Sequence, residues 1–210
     1  MYALIKREIQ DHIAYFVGAA IFSAVFIVIS VSLTHSKGTE DPSIFAIGLG
    51  TPVATVVILG FCAMGANQMY TDKNRKISAF LSTLAVSRSR ILLARIITGI
   101  LAILTLLVPL AVTAVVLSHL SNPPIPMYPG MVLETFTISF LMAFACYCLG
   151  LLTGWNSSKI TPTLGGIVLT CILVPLIFVK GFGVHIVVIL VLFIIASLLR
   201  AWHTFMTTSL

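Results

Sequence analysis

Long apolar runs separated by short polar breaks constrain this chain more than any other feature. From Ile13 to Leu33 no residue carries a formal charge, and comparable runs recur to the end of the sequence. About 20 apolar residues in a helix cross the roughly 30 Å hydrocarbon core of a bilayer. Charged residues make up 9% of the chain and hydrophobic residues 59%, with a mean hydropathy of +1.14. A soluble domain carries roughly 25% charged residues. The composition therefore predicts an all-α integral membrane protein, a single transmembrane domain over residues 1–210.

Six spans are predicted, at approximately 13–34, 44–69, 91–119, 131–153, 162–179 and 185–202. Pro52 and Pro109 fall inside the second and third and are expected to bend them. The stretch 121–130, SNPPIPMYPG, holds four prolines and no charge, so it reads as a stiff external turn. Pro162 takes the first-turn position that proline favours at the start of the fifth span. The inner end of the second span is expected to carry Asn67 and Gln68 toward the polar loop that follows. Threonines such as Thr55, Thr105 and Thr113 are expected to satisfy backbone or neighbouring helices.

Residues 1–12 alternate oily and charged: Tyr2, Leu4, Ile5 and Ile9 against Lys6, Arg7, Glu8 and Asp11. That pattern predicts an amphipathic helix lying on the membrane interface before the first span. The run after it is too long for the apolar core of a signal peptide, and no A-x-A-like site follows, so the first span is read as uncleaved. Orientation follows from the basic residues. Ten of the twelve Lys and Arg fall on one side; Lys37 and Lys180 fall on the other. Positive loops stay inside, which predicts cytoplasmic termini in a cell membrane, of the bacterial inner or plasma type. The charge of +6 is thus a topology signal rather than a nucleic-acid footprint.

The stretch from Tyr70 to Arg95 is the one sizeable segment that reads as water-facing. It holds Lys73, Arg75, Lys76, Arg88, Arg90 and Arg95, half of the basic residues. Within it Ile77, Phe80, Leu81 and Leu84 recur at i, i+3, i+4 and i+7, one face of a helix. Thr71 or Asp72 offers an N-cap. The segment 70–90 is therefore expected to hold a short cytoplasmic amphipathic helix, roughly Lys76 to Val86, between helices 2 and 3. A plain basic loop that only fixes topology is the alternative from charge alone.

The run D-K-N-R-K followed by F-L-S-T-L-A-V-S-R-S-R-I-L-L-A-R resembles the first cytoplasmic loop of type-2 ABC exporter permeases. The match falls at Asp72, Leu81, Thr83, Leu84, Val86, Ser87, Arg88 and the aliphatic Ile91 to Leu93. It departs at Ala85, where that family has Pro, and at Arg95, where it has Lys. The resemblance implies a transmembrane subunit that pairs with a second permease chain, identical or homologous. It also implies two copies of a cytoplasmic ABC ATPase, which would bind the ATP and Mg. The ATPase-coupling interface would then comprise Asp72, Lys73, Arg75, Lys76, Ile77, Phe80, Leu81, Leu84, Arg88 and Arg90.

The chain lacks the G-x-x-x-x-G-K-[ST] phosphate loop, H-E-x-x-H and a G-x-S serine elbow, so neither enzyme activity nor a cofactor of its own is expected. Cys62, Cys146, Cys148 and Cys171 all lie in apolar runs, where small buried thiols are expected rather than disulfides. Glu134, His119 and His185 fall at predicted outer helix ends. They are read as headgroup-level side chains or, more sharply, as an external gate. Two other functions remain open: a membrane scaffold or immunity subunit that recruits a cytoplasmic partner, and a small secondary transporter, which calls for inverted repeats.

Overall fold

The computed structural model describes residues 2–35, 60–72, 87–120, 129–155 and 184–207. They form helices α1 (Tyr2–Asp11), α2 (Ile13–His35), α3 (60–72), α4 (Arg88–Leu120), α5 (Pro129–Trp155) and α6 (Val184–Thr207). No strand occurs among the described residues. Among the described residues, four helices are long and apolar enough to cross a membrane: Ile13–Ser32, Ser89–Val116, Leu133–Gly154 and His185–Thr207. The expected second and fifth spans at 44–69 and 162–179 fall largely or wholly outside the described residues, as does most of the expected coupling helix.

The helices break where local chemistry breaks them. The His12 amide closes the last turn of α1 on the Glu8 carbonyl at 3.1 Å, and the Tyr15 amide reaches the His12 carbonyl at 3.0 Å. The chain thus passes from α1 into α2 through His12 alone. Ser87 stands at the N-cap of α4, its carbonyl accepting from Arg90 at 3.0 Å. The helix therefore starts three residues before the expected Ile91, and Arg88 and Arg90 lie on it rather than in a loop. Pro109 sits inside α4. Hydroxyls inside the long helices bond back to their own backbone. Thr105 donates to the Leu101 carbonyl and Thr113 to that of Pro109, both at 2.8 Å, as expected for isolated polar groups in apolar helices.

α3 and α5 approach each other closely, through small residues. A methyl added at Gly150 would strike the Cys62 carbonyl, and one at Gly154 would strike Ala66. A methyl at Gly65 would come 2.5 Å from the Tyr147 carbonyl. Gly150 and Gly154 form a G-x-x-x-G pair, the spacing that lets helix backbones touch in a membrane. Gly99 of α4 gives up its side-chain volume to the Tyr147 ring. Tyr147 is fully buried at this junction of α3, α4 and α5, with Met64, Ala102 and Ile103 around it.

Two of the described helices present apolar outer faces. α2 packs on α4 and exposes Ile13, Val17, Ile21, Val25 and Val28. α6 exposes Ile189, Leu192 and Leu199. A helix that is hydrophobic all round is suited to lipid or to other helices, not to water.

One end of the bundle gathers several termini. Glu8 of α1, Asp72 at the end of α3, Arg95 near the start of α4 and Phe205 near the end of α6 meet there. Leu151 and Leu152, near the end of α5, share a small void with Ala201, Thr204 and Phe205. α5 and α6 therefore run parallel, and α4 runs opposite to both.

Candidate functional site

The meeting point of those helix ends is a buried charged cluster. Arg95 lies seven residues into α4, at 2% exposure, and Asp72 at 1%. The Arg95 Nη2 to Asp72 Oδ2 distance is 3.0 Å. Arg95 Nε lies 3.5 Å from Glu8 Oε1, a longer contact than the one to Asp72. Nη1 donates to the Met69 sulfur at 3.4 Å, and the guanidinium carbon sits 5.8 Å from the centre of the Phe205 ring. The planar fork of arginine suits such a site, because it pairs with carboxylate on one side and stacks on a ring on the other.

This arrangement corrects part of the sequence reading. Arg95 and Asp72 do not face water. Opposite charges at the end of α3 and the start of α4 find each other inside the bundle, where Phe205 excludes solvent. A buried charge is tolerated only when paired, and here each is.

A second layer lies behind the first. The Tyr147 hydroxyl is 2.6 Å from Gln68 Oε1 and 2.8 Å from the Arg95 carbonyl. The hydroxyl has one proton, and both neighbours accept. The consistent arrangement is the other amide orientation: Gln68 Nε2, otherwise without a partner, donates to the hydroxyl, which donates to the carbonyl. Gln68 is thus turned inward at 2% exposure, contrary to the expectation that it reaches the loop, whereas Asn67 is exposed.

Glu8 also faces His12 one helical turn on, with Oε2 3.7 Å from Nε2. Burial pushes the Glu8 carboxyl above its ordinary range, against the pull of the Arg95 charge. Burial pushes the His12 imidazole below its ordinary value. On the open side of α1, Arg7 and Asp11 form an exposed pair at 3.6 Å.

The expected site residues divide as follows. Asp72 lies in the cluster. Lys73, Arg75, Lys76, Ile77, Phe80, Leu81 and Leu84 lie outside the described residues. Arg88 opens α4, and Arg90 is exposed within its first turn. Glu134 is exposed in the second turn of α5 and His185 in the first turn of α6, and His119 belongs to the last turn of α4, so all three sit toward the end of the bundle opposite the cluster. Among the described residues no group of three His, Cys, Asp or Glu is placed to hold a metal. Glu8, His12 and Tyr147 were not singled out by sequence reasoning. Glu8 and His12 at i, i+4 beside Leu4 and Ile5 on an amphipathic helix were the available signal; for Tyr147 it was an aromatic residue among Ala, Cys and Gly.

No family model, curated protein or solved structure matches the chain. The class that the fold defines is an all-helical protein whose long apolar helices suit several passes through a membrane.

Proposed function

We propose that the chain is the transmembrane permease subunit of an ATP-driven exporter, coupled to a separate cytoplasmic ATPase. The observation that carries this reading is the closure of the basic segment 73–87 at both ends. Asp72 precedes it, Arg95 follows it, and the two are bonded at 3.0 Å inside the bundle. A partner pushing on that segment acts on two helices at once, and Glu8 brings in α1 as a third. One of them, α4, is 33 residues long, about 50 Å, so a shift at its basic end reaches the far side of a membrane.

In this reading the segment makes its contact through Ile77, Phe80, Leu81 and Leu84, with Lys73, Arg75, Lys76, Arg88 and Arg90 facing acidic groups of the ATPase. Asp72 anchors the segment rather than meeting the partner. The chain pairs with a second permease subunit, and two ATPase copies hold the ATP and Mg. Six spans and cytoplasmic termini remain the preferred layout. The alternation of the described helix ends supports it: α5 finishes at the cluster end and α6 starts at the other. Glu134 and His185 would then line the external mouth, with His119 nearby.

The test is Phe80→Ala combined with Leu81→Ala. Losing a buried Phe from a groove costs about 3–5 kcal/mol, enough to break a subunit contact. The variant is expected to insert and dimerise normally while co-purification of the ATPase and substrate-stimulated hydrolysis collapse. Normal ATPase binding and normal export would reject the assignment.

A further inference from the structure

Arg200 of α6 is an exposed cation, and among the described residues no carboxylate lies within ion-pair distance of it. The sequence has six acids. Glu8 and Asp72 flank Arg95, Asp11 pairs with Arg7, and Glu134 stands at the opposite end of the bundle. Glu40 and Asp41, outside the described residues, follow α2 in sequence, and α2 leads from the cluster at His12 to its far end at His35. No acid follows Glu134 in the sequence. The charge balance therefore points outside the chain for the anion that meets Arg200.

The surroundings of Arg200 specify that anion. On α6 Val188, Leu192, Ile195, Leu199 and Trp202 recur at i, i+4, i+7, i+11 and i+14, and all five are exposed. They form one ridge, about 21 Å long, on the side of the helix away from buried Ile194 and Phe205. One leaflet supplies half of the roughly 30 Å hydrocarbon core, so the ridge is long enough to accompany a lipid acyl chain through its full depth. It ends in Trp202, a residue type that settles at headgroup level. Arg200 and His203, both exposed, flank Leu199 and Trp202 there. An arginine so placed lays its methylene stem on apolar surface and holds its guanidinium in the headgroup layer. Its planar fork matches phosphate oxygens. An acidic protein approaching through water would meet neither the ridge nor the tryptophan.

We propose that Arg200, Trp202 and His203 form a site for the headgroup of an anionic phospholipid in the leaflet at the cluster end, with an acyl chain of that lipid along the α6 ridge. Arg200 pairs with the phosphate, a ring N–H of His203 donates to a second headgroup oxygen, and Trp202 packs at the glycerol level. The phosphate of phosphatidylcholine already carries its own choline cation, so the site favours a lipid whose phosphate is its sole charge. It lies within one turn of Phe205, the ring that covers Arg95. Nothing in it depends on what the chain transports.

Trp202 is its own reporter. The sequence has two tryptophans, so a Trp155→Phe background leaves Trp202 alone, and quenching of its fluorescence by lipids brominated on the acyl chain reads which lipid sits against it. The full chain is reconstituted in vesicles that mix phosphatidylglycerol with phosphatidylcholine, one or the other brominated. Phosphatidylglycerol is expected to be preferred beside Trp202 by about fivefold, the factor that one basic residue contributes near a membrane surface. Arg200→Gln should bring the preference close to unity, and Arg200→Lys should keep part of it. Lys6→Gln removes an exposed cation on α1 and should leave the preference unchanged, because diffuse surface charge is screened within about 10 Å. Equal quenching by the two lipids, or an equal drop with Lys6→Gln, overturns the proposal. A preference that survives Arg200→Gln overturns it too, and loss of a co-purifying protein in that variant would assign Arg200 to an acidic protein partner instead. Inorganic phosphate at constant ionic strength should not reduce the preference; if it does, the site takes free phosphate and the lipid assignment falls.

Discussion

Removing the Asp72 charge tests the cluster most sharply. Asp72→Asn keeps the side-chain shape and deletes the closer of two anions around Arg95, both residues being 2% exposed or less. At 3.0 Å and an effective dielectric near 20 the attraction is about 5 kcal/mol. Breaking one side of a buried pair typically costs about 3–5 kcal/mol. Glu8, 3.5 Å from Nε, takes up part of the deficit, which puts the expected loss near the lower end, about 3 kcal/mol. At about 2–4 °C per kcal/mol for a chain of this size, the melting temperature of the purified protein should fall by roughly 6–12 °C. Glu8→Gln alone should cost about 1 kcal/mol, because its contact to Arg95 is longer than that of Asp72, 3.5 Å against 3.0 Å. The double variant leaves the guanidinium without either carboxylate, so its loss should exceed the sum of the singles by about 1–2 kcal/mol. Three small, additive shifts would refute the account of Arg95 as a buried cation held by two acids.

Tyr147→Phe removes the hydroxyl that joins Gln68 to the Arg95 carbonyl, and thermal melting should register a loss of about 1–2 kcal/mol. Gly150→Ala should destabilise by about 1–3 kcal/mol in the same assay, because the new methyl meets the α3 backbone at Cys62. Gly18→Ala, where nothing lies within 4 Å, should be neutral or stabilise by up to about 1 kcal/mol through helix propensity. Arg7→Ala, which deletes the exposed pair with Asp11, should shift stability by less than about 0.5 kcal/mol.

What could be read from sequence was set by period and polarity. The apolar runs located α2, α4, α5 and α6 to within a few residues, because a helix of that length and oiliness has few alternatives. The start of α4 was misplaced by three residues, since Arg88 and Arg90 look like loop cations until Ser87 is recognised as a cap. The cluster was largely hidden. Asp72 and Arg95 are 23 positions apart and each reads as a loop charge; only the antiparallel return of α4 beside α3 buries them together. Glu8 belonged to a helix read as resting on lipid, whereas its inward face meets Arg95. Tyr147 depends on the absent side chain of Gly99, a complementarity across two helices that no local pattern records.

The central claim is that this chain works as one half of a permease driven by a separate ATPase. Native mass measurement of the complex purified through this chain from its own membrane addresses it most directly. The account predicts two permease chains with two ATPase chains in a particle that hydrolyses ATP, and loss of the ATPase chains on Phe80→Ala with Leu81→Ala. A single chain without a nucleotide-hydrolysing partner that still moves its substrate would contradict it.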